Sequence, residues 1–215
     1  MANPKSARQM TNTVKTMRNV IPALILALTV LVPTTSAWAE PVNKPSSAAL
    51  PQVRVVTSAG AFELQLRPDV APETVRNFLE YVRSGFYDGT VFHRVIPGFM
   101  IQGGGFTSEL SRKSTRAPIA NEASPTLPNL RGTISMARTN APDSATSQFF
   151  INVVDNPFLD KGVRGAGYAV FGKVTDGLGV IDTIANSKTG YSGGMADVPL
   201  DPIMIQSVSV LESAK

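Results

Sequence analysis

The run Val91-Phe92-His93-Arg94-Val95-Ile96-Pro97-Gly98-Phe99-Met100-Ile101-Gln102-Gly103-Gly104-Gly105 constrains this chain more than any other segment. It sets one cation among apolar residues, follows them with a Pro-Gly turn and ends in three glycines. As a strand it carries Val91 and Val95 on one face and Phe92, Arg94 and Ile96 on the other. A guanidinium so placed is either displayed to a ligand or turned to solvent, and solvent is the ordinary outcome because arginines are mostly exposed. The glycines imply a turn or a close backbone approach. A phosphate cradle would need a Gly-Lys-Ser/Thr that does not follow.

Other chemistries fall away by inspection. His93 is the single histidine and no Gly-x-Ser-x-Gly elbow exists, so a hydrolase relay has little to build on. Without cysteine there is no thiol nucleophile, thiolate zinc site or disulfide, and a hydrophobic core has to stabilise the fold alone. Glu122 and Asp143 show no carboxylate partner in sequence and read as solvated or turn-forming residues.

The amino-terminal end reads as an appendage. Lys5, Arg8, Lys15 and Arg18 precede an apolar stretch from Ile21 to Val32, and small residues lead to Ala37-Trp38-Ala39. This is the layout of a secretory signal peptide over residues 1–39, cleaved after Ala39, in an exported protein. Met10 and Met17 also precede the apolar stretch and are alternative starts to Met1. The stretch is short of the ~20 residues of a spanning helix, so a leader-anchored membrane protein is the lesser alternative. Four of the 20 Lys and Arg lie in the leader, leaving 16 against 16 Asp and Glu. A balanced remainder without a basic cluster implies neither nucleic acid nor an anionic membrane as partner.

Residues 40–51, rich in Pro, Ser, Ala and Asn, read as a flexible linker, and 52–215 as one folded domain. Val53-Arg54-Val55 and Phe62-Glu63-Leu64-Gln65-Leu66 alternate around Ser58-Ala59-Gly60, predicting a hairpin. Val75, Phe78, Leu79 and Val82 form the stripe of an amphipathic helix from Pro72 to Ser84, with Gly85 as its stop. A shorter helix follows Gly177-Leu178-Gly179, and Ile203 to Val210 alternates like a closing strand. Many short strands, two helices and no βαβ rhythm argue for a mainly β fold that closes or sandwiches. The Thr107–Pro128 loop, with Arg112, Lys113 and Arg116, reads as a solvated loop, with a part in partner choice as the alternative.

Three more blocks accompany the first: Gly132-Thr133-Ile134-Ser135-Met136-Ala137-Arg138 with Ser147-Gln148-Phe149-Phe150-Ile151; Asn156-Pro157-Phe158-Leu159-Asp160; and Tyr168-Ala169-Val170-Phe171-Gly172-Lys173-Val174. In this order, over about Val53 to Leu211, the chain resembles the cyclophilins, the peptidylprolyl cis-trans isomerases that bind cyclosporin, and most of all their Gram-negative periplasmic branch. The resemblance implies a closed eight-stranded antiparallel β-barrel capped by two α-helices, acting without a cofactor as a monomer on unfolded or partly folded proline-containing polypeptides during folding of exported proteins. Arg94 falls at the catalytic arginine. Phe99, Met100, Phe150 and Leu159 fall at the apolar pocket for the proline ring, and Gln102 and Gln148 at the amides that hold the arginine and the substrate backbone. Ala137 and Arg138 match the segment that pairs with the peptide main chain, and His93 lies at the pocket edge. Phe149 and Phe150, as strand neighbours, face opposite ways, so at most one lines the pocket.

Departures from the family pattern are Phe158 where many members carry tryptophan, Tyr168 where many carry histidine, and Arg138 where asparagine is common. Phenylalanine lacks the indole N–H donor, so any cyclosporin binding is expected to be weak. A proline-peptide binding module or holdase with incidental turnover is the competing reading.

Overall fold

The computed structural model describes residues 50–212. The leader and nearly all of the linker expected from the sequence lie outside them. Ten strands, two α-helices and one short 3-10 helix make up the described chain. Eight strands form one antiparallel sheet: β1 (Gln52–Thr57), β2 (Gly60–Leu66), β3 (Thr90–Ile96), β4 (Met100–Thr107), β5 (Thr133–Met136), β6 (Phe149–Asn152), β7 (Val170–Asp176) and β10 (Ile205–Leu211), ordered β10-β1-β2-β7-β5-β6-β4-β3. A separate hairpin of β8 (Thr189–Ser192) and β9 (Met195–Pro199) turns on Gly193-Gly194, whose left-handed backbone suits a tight hairpin. Among the described residues no helix is long and apolar enough to cross a membrane.

The sheet curls but does not close by a ladder, which corrects the expected closed barrel. Its two edges, β3 and β10, meet through an isolated bridge between Val91 and Met204 and through the bonds Gly89 N–H to Ile205 O and Phe92 N–H to Ile203 O. Pro202, lacking an N–H, stands where further pairing would have to continue, and β10 begins only at Ile205, later than its alternation suggests.

Inside the curl lies one core. Alternate strand residues such as Val53, Val55, Phe62 and Leu64 fill it, together with Val75, Phe78, Leu79 and Val82 of α1 (Pro72–Arg83) and Ile181 and Ile184 of α2 (Leu178–Ala185). The predicted stripe of α1 is therefore its buried face, and Gly85, at φ +64°, follows the last turn. No side chain at the helix N-terminus caps α1. The Glu122 carboxylate does so from a distant loop, accepting from the Glu73 and Thr74 N–H groups at 3.1 and 2.7 Å. Glu122 is thus a tertiary cap rather than a solvated residue. Asp143 does take a loop role, accepting from the Asn121 N–H at 2.8 Å.

The loop after β4 is also tied down. Lys113 Nζ donates to Phe86 O, Arg116 pairs with Glu80, and the Arg116 N–H donates to the Tyr81 hydroxyl. Only Arg112 of its three cations lacks an ion pair or hydrogen bond from its side chain among the described residues.

Candidate active site

A second, smaller apolar cluster lies on the opposite face of β4 and β6 from the core. In register, Ile101 pairs with Ile151 and Gln102 with Phe150. Strand alternation sends Ile101, Ile151 and Phe149 inward and Met100, Gln102 and Phe150 outward. Phe150, and not Phe149, therefore lines the site, as the alternation required. Met100, Phe150 and Leu159 are packed there by Phe99, Phe158, Ala137, Tyr168 and Ile96.

Arg94 reaches this outer face by a bulge. Phe92 pairs with Gly103 and Arg94 with Gln102, so His93 is an extra residue on β3. One inserted residue reverses the alternation. Phe92 packs in the core with Val95, and Arg94 does not share its face as simple spacing predicts. Gly103 lets β3 come close: a Cβ there would stand 3.1 Å from the Phe92 ring and 3.2 Å from the Val91 carbonyl.

Of the other two glycines, Gly104 faces the core rings of Tyr87 and Phe149, and Gly105 serves the site directly. Gly104 is left-handed at φ +78°, and a Cβ on Gly105 would lie 2.5 Å from Gln148 Cγ. The missing side chain is the space that Gln148 occupies. Close backbone approach, the alternative to a phosphate cradle, is the reason for the triplet. From there Gln148 Oε1 accepts from Gln102 Nε2 at 2.9 Å, and Gln102 Nε2 stands 3.5 Å from His93 Nε2.

Nine of the twelve predicted residues surround one hollow of about 430 Å³ that opens to solvent. Its apolar walls are Phe99, Met100, Phe150 and Leu159, with Ala137 and Tyr168 beyond; Arg94, Gln102 and Arg138 supply its polar atoms. The other three stand just behind. Gln148 anchors Gln102, and Phe158 stacks on Phe99 at 5.5 Å between centroids. His93 lies buried beneath, its ring 4.6 Å from that of Phe106.

Several details differ from the sequence-based picture. Arg94 faces both ways: its side chain is 45% exposed, with one edge on the hollow. Among the described residues neither glutamine bonds it. Its neighbour is Asp197 of β9, whose Oδ2 stands 3.6 Å from Arg94 Nε. Arg138 lies across the hollow, but its guanidinium donates to the Gly167 and Thr139 carbonyls and stacks on Tyr168 at 4.4 Å. The Ala137 N–H is already donated to Gln148 O, while among the described residues no N–H reaches the Ala137 carbonyl. The group this segment has free for a main chain is therefore an acceptor.

Sequence reasoning also missed the supports of the pocket. Asn156 Nδ2 donates to Phe99 O and Asn152 Oδ1, Asn129 accepts from Ser135, and Asp160 holds Asn129. This buried amide network fixes the Phe99 turn against the 3-10 helix Pro157–Leu159 that carries Phe158 and Leu159. Only the turn-prone Asn156-Pro157 hinted at it. Gly193-Gly194 marked a hairpin, but nothing local to Asp197 announced its approach to Arg94.

Within the site the strongly shifted group is His93. Burial, helped by the adjacent Arg94 charge, pulls its pKa down from 6.5 to about 4, so the imidazole is neutral at physiological pH. A neutral ring can accept from Gln102 at Nε2, while Nδ1 is buried without a partner.

A rotatable amide bearing a proline ring fits this arrangement: an apolar hollow for the ring and a permanently charged donor beside the bond. Curled sheet and outer-face pocket together define a cyclophilin-like isomerase of prolyl peptide bonds. The chain belongs to the cyclophilin-type peptidyl-prolyl cis-trans isomerases, whose family model matches residues 52–210. It is 58% identical over 160 residues to peptidyl-prolyl cis-trans isomerase A of Dickeya dadantii, covering 74% of this chain and 84% of that one. Against peptidyl-prolyl cis-trans isomerase B of Escherichia coli K12 the identity is 54% over 159 residues, 73% of this chain and 97% of the relative. A crystal structure of a Cryptosporidium parvum cyclophilin-type isomerase in the presence of the dipeptide Ala-Pro superposes with a TM-score of 0.63 at 30% identity, covering 75% of this chain and 99% of that one.

Proposed function

We propose that this peptidyl-prolyl cis-trans isomerase works by hydrogen-bonding the twisted prolyl amide through Arg94. The peptide C–N bond resists rotation by ~18–20 kcal/mol because resonance gives it partial double-bond character. Rotation destroys that resonance and leaves the prolyl nitrogen pyramidal and a better acceptor. A donor aimed at this nitrogen binds the twisted state more strongly than the planar one, which is what lowers a barrier. The carrying observation is the position of Arg94, on the wall of the hollow beside Phe99, Met100, Phe150 and Leu159. Those apolar surfaces would seat the proline ring and strengthen the contact by excluding water.

Gln102, held by Gln148, faces the substrate from β4, and the free Ala137 carbonyl offers the peptide backbone an acceptor. No proton has to move and no covalent bond breaks, so turnover should be flat between pH 6 and 9.

Arg94→Ala, assayed by NMR exchange on a short X-Pro peptide, should lower kcat/KM a hundredfold or more, about 3 kcal/mol. Weaker binding with normal turnover of bound peptide would favour the binding-module reading instead.

The leader pattern supports export, so the setting we propose is the periplasm and the clients are exported chains still folding. A mature amino terminus other than Glu40 in protein recovered from a periplasmic fraction would overturn the cleavage site. Phe158, without a donor, supports weak cyclosporin binding.

A further inference from the structure

The hollow does not end at the proline pocket. Two further depressions continue it, one past Gln102 and Ala137 to Arg112 and Ser144, the other past Leu159 and Tyr168 to Arg164. Arg138 lines all three. No carboxylate lines any of them, and among the described residues Arg112, Arg138 and Arg164 have no acidic group within 4.0 Å.

The acids nearest in sequence are turned to other duties. Asp143 accepts from Asn121, Asp160 accepts from the Asn129 backbone and side chain, and Glu109, three residues before Arg112, accepts from the Ser108 hydroxyl and forms no ion pair with Arg112. Asp197 offsets Arg94 from the opposite side, outside these depressions. Arg164 is held over the Phe158 ring at 5.1 Å, which leaves its N–H edges free. The domain as a whole is balanced in charge, so a row of uncompensated guanidinium groups along one groove is a local feature and not the overflow of a basic protein.

We propose that this groove selects prolines flanked by acidic residues, with Arg112 reading a carboxylate at one end of the bound segment and Arg164 reading one at the other. The proposal rests on the isomerase reading of the central hollow and extends it to the class of substrate. Guanidinium groups bind carboxylates through paired donors, and exposed partners of this kind are worth about 0.2–1 kcal/mol, about 1.4- to fivefold each. The attraction also raises the encounter rate of acidic segments at low salt.

The test uses one X-Pro peptide in four forms: Gln on both sides of the dipeptide, Glu on the amino-terminal side, Glu on the carboxyl-terminal side, and Glu on both. Exchange spectroscopy reads kcat/KM, and chemical-shift titration of the same samples reads affinity. In 20 mM salt the doubly acidic peptide should exceed the Gln peptide by about three- to tenfold in affinity, and this preference should shrink toward one at 1 M salt, where screening is over about 3 Å. Arg112→Gln should erase the preference at one end only, and Arg164→Gln at the other only. A ratio near one at low salt, or a preference that survives both substitutions, overturns the proposal. If acidic peptides bind preferentially but no exchange is accelerated, the isomerase mechanism fails and the acidic selectivity stands.

Discussion

Acidification should destabilise this protein through His93. The imidazole titrates near 6.5 in an unfolded chain and at about 4 in the folded one. Between those values the unfolded chain binds a proton that the native protein refuses, so stability is full above pH 6.5 and falls as pH drops toward 4. A separation of 2.5 pKa units makes the loss about 2.5 kcal/mol at pH 4.5, approaching about 3 kcal/mol below pH 4. The structural cause is local: the ring is 4% exposed against Phe106, and protonated Nε2 would point a hydrogen at the Gln102 amide hydrogens. Urea melts of the wild type and His93→Phe, each at pH 7 and 4.5, would isolate this contribution, since the carboxylates titrate in both proteins. The wild type should lose about 2.5 kcal/mol more than the variant on acidification. Because the chain has one histidine, a single imidazole resonance gives the pKa directly. A resonance titrating above pH 6, or identical acid sensitivity of the two proteins, refutes the reasoning.

The remaining expectations concern residues around the site. Gly105→Ala should displace Gln148, break its 2.9 Å bond with Gln102 and lower kcat/KM about 10- to 100-fold while the thermal midpoint changes little; normal turnover would show that the amide pair is dispensable. Glu122→Ala should cost about 1–2 kcal/mol in urea unfolding by leaving the Glu73 and Thr74 N–H groups without their acceptor, with turnover per folded molecule unchanged. Phe158→Trp should raise cyclosporin affinity up to about tenfold in a fluorescence titration, one added hydrogen bond's worth, and an unchanged affinity would place the weakness elsewhere.

Much of the fold was legible because it is local. The first hairpin, the stripe of α1, the glycine that stops it and the opposed faces of Phe149 and Phe150 each follow from a period of 2 or 3.6 and a turn residue. The pocket was legible through the resemblance, since nine of the twelve residues it names surround one hollow. Illegible were the features that join distant segments. The resemblance put His93 at the pocket edge, but nothing in the sequence showed that, as the extra residue of a bulge, it moves Arg94 to the face opposite Phe92. Glu122 looked solvated because the N–H groups it caps lie some fifty residues earlier in the chain. Asp197 gave no sign of reaching Arg94, and Arg112 no sign of lying along the same groove as Arg138.

By itself the sequence determined which segments are strand or helix, where the chain turns, and that the available chemistry is one of hydrogen bonds and apolar contact, because each depends on a residue's effect on its own few neighbours. The tertiary structure alone decided how nearly the sheet closes, which face Arg94 occupies, what stands beside it and that the groove is lined by arginines without acids. Register and curl set those distances, and a single bulged residue is enough to exchange one face of a strand for the other.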